Sequence, residues 1–392
     1  MRTWWISSAA VPETPADREV PRRAAAIFAA HERGDRHGAV VAELEFQGAG
    51  CAEIGSPLYG DLLGHLAADA AASGIAWDIL EPHADEPPLT ALGLRLMAAV
   101  HRLVLTGRAP GLAPYYPSVG GDLSGDGAWS AFHAVLREHR HELREGTSLP
   151  CQTNEPGRSA ALLGGFLTVA RATGLPLRIL EVGASAGLNL RWDHFRYVAG
   201  PDAWGPPGSP VTFDGVFESA PPLDVTAVVA ERRGCDPRPQ DPTSETTRLN
   251  LRASAWPDQL ERFTALEGAL EVAARVPAEV DRVDGPTWVA QQLAEPRPGL
   301  ATVVYHSIVM QYLSDAGRTS LRESIAAAGE RATPDAPVAW LSMEPGGGGH
   351  ANVNLSTWPA GEERLIAEAG YHGRPVRWLD PPRPPAPRRG TY

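Results

Sequence analysis

Four residues in the stretch LRILEVGASAGLNL (Leu177–Leu190) have the types and spacing of a small-molecule site: Glu181, Gly183, Ser185 and Gly187. The apolar residues Leu177, Ile179, Leu180 and Val182 need not alternate if the strand is parallel and covered on both faces. A carboxylate at the end of such a strand is costly to bury without a partner or a ligand. The glycines beyond it reach φ > 0 and let a ligand approach with no Cβ in the way. The apolar residues after Gly187 read as the start of a helix, whose free N–H groups suit polar or anionic atoms. Two further acids end the next apolar runs, Asp236 after Val225–Arg232 and Asp284 after Glu279–Val283. A carboxylate accepts two hydroxyl hydrogens at once, and an acceptor is what an exocyclic amine requires.

A doubly wound parallel sheet would bring these residues together, because its ligands sit at strand carboxyl ends near the point where the winding reverses. Two more strands are predicted, Ala301–His306 and Val338–Met343, with helical sequence between strands. Ala351–Leu379 alternates with turn signals and is expected to close the sheet as antiparallel strands. His306 and Glu155 are the candidate general bases, with a satisfied core histidine as the competing account of His306. Gln311 and Tyr312 follow the fourth strand and can orient a substrate, or Tyr312 simply packs. Trp192 and Asp193, just past the glycine turn, line the pocket or pack and cap. Asn154 and Arg158 lie in QTNEPGR (Gln152–Arg158), a polar cluster at the mouth of the site on a functional reading. On a plain reading the same residues open a helix ending near Gly174, with Asn154 or Glu155 serving its N-terminus.

Residues 1–150 read as mostly helical: Val20–His31, a helix opened by Ser56-Pro57 and ended by Gly74, Leu89–Gly107, and Gly127–Glu145. VVAELEF near Val40 is the one stretch there with strand character. His133, His139 and His141 fall on the last helix, where a solvated face with one packed histidine outweighs a metal site. Tyr115 and Tyr116 sit in a Pro- and Gly-rich loop that either connects helices or lines a pocket.

Composition narrows the chemistry. The 392 residues are 43% hydrophobic and 21% charged, as in an ordinary globular protein with room for two domains. A formal charge of −12 argues against nucleic acid as the partner and favours a small polar molecule. All 35 basic residues are Arg. Without lysine there is no pyridoxal Schiff base, P-loop lysine or kinase-type ATP lysine. Cys51, Cys151 and Cys235 form neither a disulfide framework nor a zinc pattern. No basic n-region precedes an apolar core at the N-terminus, and no apolar run reaches the ~20 residues of a membrane helix. A cytoplasmic protein is expected, with no membrane partner; the oligomeric state is not readable.

The pattern E-x-G-x-S-x-G resembles the first motif of class I S-adenosylmethionine-dependent methyltransferases, with Ser185 in place of the commoner glycine. That resemblance implies a Rossmann-like α/β sheet with a terminal antiparallel hairpin, and S-adenosylmethionine as cofactor. Glu181, Gly183, Ser185 and Gly187 would hold its amino-acid part, Asp236 its ribose and Asp284 its adenine. About fifty residues separate Gly187 from Asp236, so an insertion (Arg191–Pro222) is implied, and Glu231 becomes a rival for the ribose. Gly183–Gly187 also spells the G-x-S-x-G elbow of α/β-hydrolases, which would make Ser185 a nucleophile. Over its length the chain resembles an uncharacterised bacterial family, domain of unknown function 2332, through LPCQTNEPGRSAAL, RILEVGASAGLNLRWD, RRGCDPRPQDP, AWPDQLERF, VVYHSIVMQYL and STWPAGEERLIAEAGYHGRPVRW. The expected organisation is a helical cap or substrate domain (1–150), a Rossmann-like cofactor domain (151–380) and a Pro/Arg-rich tail (381–392). The expected function is methyl transfer to a small molecule; the alternatives are a cofactor-fold scaffold without transfer activity and a serine hydrolase.

Overall fold

The computed structural model describes residues 15–380 apart from 124, 126, 152, 348, 360 and 361. The readings of the N-terminus, of Gln152 and of the tail after Asp380 lie outside the described residues. Among the described residues seven α-helices come first: α1 (Pro15–Glu32), α2 (Arg36–Glu53), α3 (Pro57–Ala71), α4 (Ile75–Leu80), α5 (Leu92–Leu105), α6 (Gly127–Glu138) and α7 (Arg140–Gly146). Ser56 and Pro57 open α3 as their types predict, the Ser56 hydroxyl accepting the Tyr59 N–H at 3.3 Å. VVAELEF is helical, inside α2, because its apolar positions pack on other helices rather than across a sheet. The expected Gly127–Glu145 helix is two, broken at His139, which leaves helical geometry (φ −106°).

After α8 (Arg158–Thr173) and β1 (Leu177–Val182) come β2 (Arg196–Ala199), β3 (Asp202–Trp204), β4 (Thr212–Phe213), β5 (Phe217–Ser219) and β6 (Val229–Asp236). Then follow α9 (Glu245–Ser254), α10 (Leu260–Arg275), β7 (Glu279–Arg282), α11 (Gly285–Gln292), β8 (Ala301–Ser307) and α12 (Asp315–Glu330). The last strands are β9 (Val338–Gly347), β10 (His350–Trp358), β11 (Glu362–Ala369) and β12 (Val376–Trp378). The second long strand begins four residues later than predicted and runs through Arg232 and Arg233. Those charges are tolerated because Arg232 pairs with Asp193 at 2.7 Å and Arg233 with Asp281 at 3.0 Å.

The chain divides into two compact units. One comprises the residues up to Thr153 together with Glu245–Phe263; its core joins Leu44, Leu62, Leu66, Leu96, Val100 and Phe132 with Trp256. Each such side chain contributes about 1.5–3 kcal/mol by leaving water. The other unit, Asn154–Ser244 and Thr264 onward, is a mixed α/β structure. Among its described residues nine strands form one sheet in the order β5-β12-β11-β10-β9-β8-β1-β6-β7. β7, β6, β1, β8 and β9 are mutually parallel, and β9 to β12 are antiparallel, closing the sheet as their alternation predicts. The expected insertion holds a separate small sheet, β3-β2-β4. No helix among the described residues is long and apolar enough to cross a membrane.

Candidate functional site

Because the five parallel strands point the same way, their carboxyl ends share one edge. From β1 the chain steps outward to β6 and β7, then crosses back to β8 and β9, so the winding reverses between β1 and β8. Ligands of open α/β sheets bind at that reversal. Glu181, Asp236 and His306 lie at the ends of β1, β6 and β8, with Asp284 just past β7.

Glu181 is 2% exposed, and the Tyr305 hydroxyl donates to its Oε2 at 3.1 Å. Burial pushes its carboxyl up to about 8, opposed by the Tyr305 hydrogen bond and Arg191 and reinforced by the nearby Asp236 carboxylate. At neutral pH it is therefore a neutral acid that can both donate and accept. Beyond it Gly183, Ser185 and Gly187 all take positive φ (74°, 53° and 67°). A Cβ on Gly183 would stand 2.6 Å from Val309 Cγ2, so glycine is required there. Ser185 Oγ and Asn189 Oδ1 are buried and have no hydrogen-bond partner among the described residues. Buried polar atoms in that state are destabilising until a ligand or water meets them.

The helix expected after Gly187 is a short 3-10 turn, Asn189–His194. The Leu188 N–H is taken by Asn154 Oδ1 at 2.9 Å, and Trp192 is stacked between Phe166 and Trp204. Arg191 donates to the Gly187 and Val276 carbonyls, closing the turn. Asp236 Oδ2 accepts the Ser185 N–H at 2.9 Å and Oδ1 accepts the Arg238 N–H at 2.7 Å, leaving each oxygen a second lone pair. Asp284 is exposed and caps α11, accepting the Thr287 N–H at 3.0 Å. The next residue, Gly285, abuts Val182, which sets the start of α11 against the end of β1. Glu231 lies near the other end of β6, opposite Arg178, and is ion-paired with Arg178 and Arg297. That removes it as a rival for the ribose.

Asn154 serves the bend rather than α8. Glu155 is buried and serves the start of α8, its Oε1 accepting the Gly157 N–H at 3.2 Å, while its carbonyl accepts from Asn189 Nδ2. Arg158 donates to the Ser307 and Tyr371 carbonyls. His306 is fully buried. Indole N–H is only a donor, so the Trp340 Nε1–H at 3.0 Å makes His306 Nε2 an acceptor and puts its proton on Nδ1, facing Glu344 Oε1 at 2.6 Å. That arrangement leaves His306 no lone pair for a substrate proton. Gln311 is exposed and Tyr312 is 78% exposed, so Tyr312 is not a packed residue.

Residues 41–378 match the model of the family described as "Uncharacterized protein conserved in bacteria (DUF2332)". The chain belongs to this family. No curated protein and no solved structure matches it. The match spans every candidate site residue, from within α2 to the end of β12. In this DUF2332 chain the participants that escaped sequence reasoning include Tyr305, which holds Glu181; Val309, which covers Gly183; and Glu344, which holds His306. Glu344 was within reach of the rule that picked out Glu181, an acid near the tip of a central strand.

Proposed function

We propose that the protein binds S-adenosylmethionine at the carboxyl edge of β1, β6 and β7 and transfers its methyl group to a small-molecule acceptor. One arrangement carries this reading: Glu181, Asp236 and Asp284 at the tips of adjacent parallel strands, beside a glycine bend where the winding reverses. The order β7-β6-β1-β8-β9 resembles the parallel core of class I methyltransferases. The donor set suits the cofactor: orphaned Ser185 Oγ and neutral Glu181 face its amino-acid part, Asp236 has lone pairs for two ribose hydroxyls, and exposed Asp284 can accept an amine. When bound, the cofactor supplies an electrophilic methyl on a sulfonium. The protein's part is alignment and exclusion of water, since methyl displacement needs proximity and in-line aim more than a covalent intermediate. Gln311 and Tyr312 are the exposed residues nearest in the chain to His306 that can meet an acceptor.

Calorimetry with S-adenosylmethionine and S-adenosylhomocysteine tests the reading. Both bind the wild type, and Asp236→Ala and Asp284→Ala each weaken binding roughly tenfold or more. No binding of either compound, with both variants behaving as wild type, overturns it. A second reading, a cofactor-binding scaffold without transfer activity, is favoured by the closed hydrogen bonding of His306; binding without turnover across a broad acceptor screen would select it. The hydrolase reading has the least support, because no histidine hydrogen-bonds Ser185 Oγ among the described residues.

A further inference from the structure

The residue after β8 is out of place. Ile308 has φ +56°, a region that β-branched side chains rarely enter. Such a conformation persists only where its surroundings over-determine it, and these positions concentrate at functional sites. Here the hold is specific. The Ile308 N–H donates to the Met343 carbonyl at 2.8 Å. The next two N–H groups, of Val309 and Met310, donate to Glu344 Oε1 at 2.9 and 3.3 Å. The same oxygen takes the His306 Nδ1 proton, and Trp340 locks the far side of that ring. Arg318 holds the other end of the segment through the Met310 and Leu313 carbonyls at 2.9 and 2.8 Å. The outcome of this bracing is the position of Val309, against the open side of Gly183.

We infer that Glu344 is a positioning residue of the candidate site, fixing the Ile308–Met310 turn as the wall that faces the glycine bend. The inference rests on the cofactor reading above for its function, but not for its geometry. Its carboxylate makes β9, which runs on past the end of β8, the anchor for the turn that follows β8. His306 and Trp340 then act through Glu344, by orienting the oxygen that the two N–H groups need. Glycine would adopt the Ile308 conformation without strain, so a turn with glycine there would need the anchor far less.

The test uses the full chain and four variants: Glu344→Ala, Glu344→Gln, Ile308→Gly and the double variant Glu344→Ala/Ile308→Gly. Amide hydrogen exchange at Val309 and Met310 is read without ligand, and affinity for S-adenosylhomocysteine by calorimetry. Glu344→Ala is expected to speed exchange of both amides and weaken binding, each roughly tenfold or more. Glu344→Gln keeps an oxygen acceptor and stays within about threefold of wild type on both readouts. The double variant recovers most of the lost affinity, because its turn no longer works against strain. Unchanged exchange in Glu344→Ala overturns the inference. So does a loss of affinity that Ile308→Gly fails to recover, which would make Glu344 a direct ligand contact. If the wild type does not bind the compound, the cofactor reading fails, and the exchange measurement decides the role of Glu344 alone.

Discussion

Glu181 is a site residue whose charge at neutral pH is changed by the fold. An exposed glutamate titrates near 4.3–4.5, whereas burial beside Tyr305 raises this one to about 8. The folded state thus holds the proton more tightly than the unfolded chain. Its contribution to stability is complete below about pH 4.5, falls as the unfolded chain ionises, and is gone above about pH 8. The difference amounts to at most about 5 kcal/mol. Glu181→Gln removes the titration while keeping a neutral side chain of the same shape. Urea unfolding of both proteins at intervals from pH 5 to pH 8 should show the wild type losing stability relative to the variant. Parallel pH profiles would mean that the carboxyl is not the neutral, buried group described.

At the level of elements, long-range capping explains why one sequence block has the composition it does. In Ala255–Gln259 (AWPDQ), Asp258 reaches back two hundred positions to the start of α3. Its Oδ1 accepts the Ser56 hydroxyl at 2.6 Å and its Oδ2 accepts the Leu58 N–H at 3.0 Å. Gln259 donates to the Ile54 carbonyl, and Trp256 packs beside Tyr59. The acid satisfies an orphan N–H and sets negative charge at a helix N-terminus. Asp258→Ala should lower stability by about 1–2 kcal/mol in urea unfolding, with Asp258→Asn losing less. A loss within about 0.5 kcal/mol of zero would reduce the contact to packing. Ser56-Pro57 was legible because its cap lies three residues on, and the β1 bend because strand and glycines adjoin in the chain. Asp258 was not, since its partner lies on another element. Likewise His306 drew attention as a base, while its contacts with Trp340 and Glu344 on β9 are revealed only by tertiary structure.

The whole molecule is wound so that the helical unit is completed from a distant part of the chain. Glu245–Phe263 lies between β6 and β7, yet belongs with the residues up to Thr153. Leu251, Ala253 and Trp256 are buried there, and α9 packs on α5. The buried His101 imidazole, pushed down to about 4 by burial and so neutral, faces the Ala253 carbonyl through Nδ1 and the Ser118 hydroxyl through Nε2. Without the returning segment that imidazole keeps one nitrogen unmet, α3 loses its second cap, and the core loses an indole. These losses together exceed roughly 3 kcal/mol, a large share of the stability of a unit this size. A fragment ending at Thr153 should therefore melt far below the same fragment carrying Glu245–Phe263 on a glycine-serine linker, or show no cooperative transition. Circular dichroism melts of the two would decide it. Coincident transitions would mean that the first 153 residues hold their core unaided, and that the excursion between β6 and β7 contributes little to it.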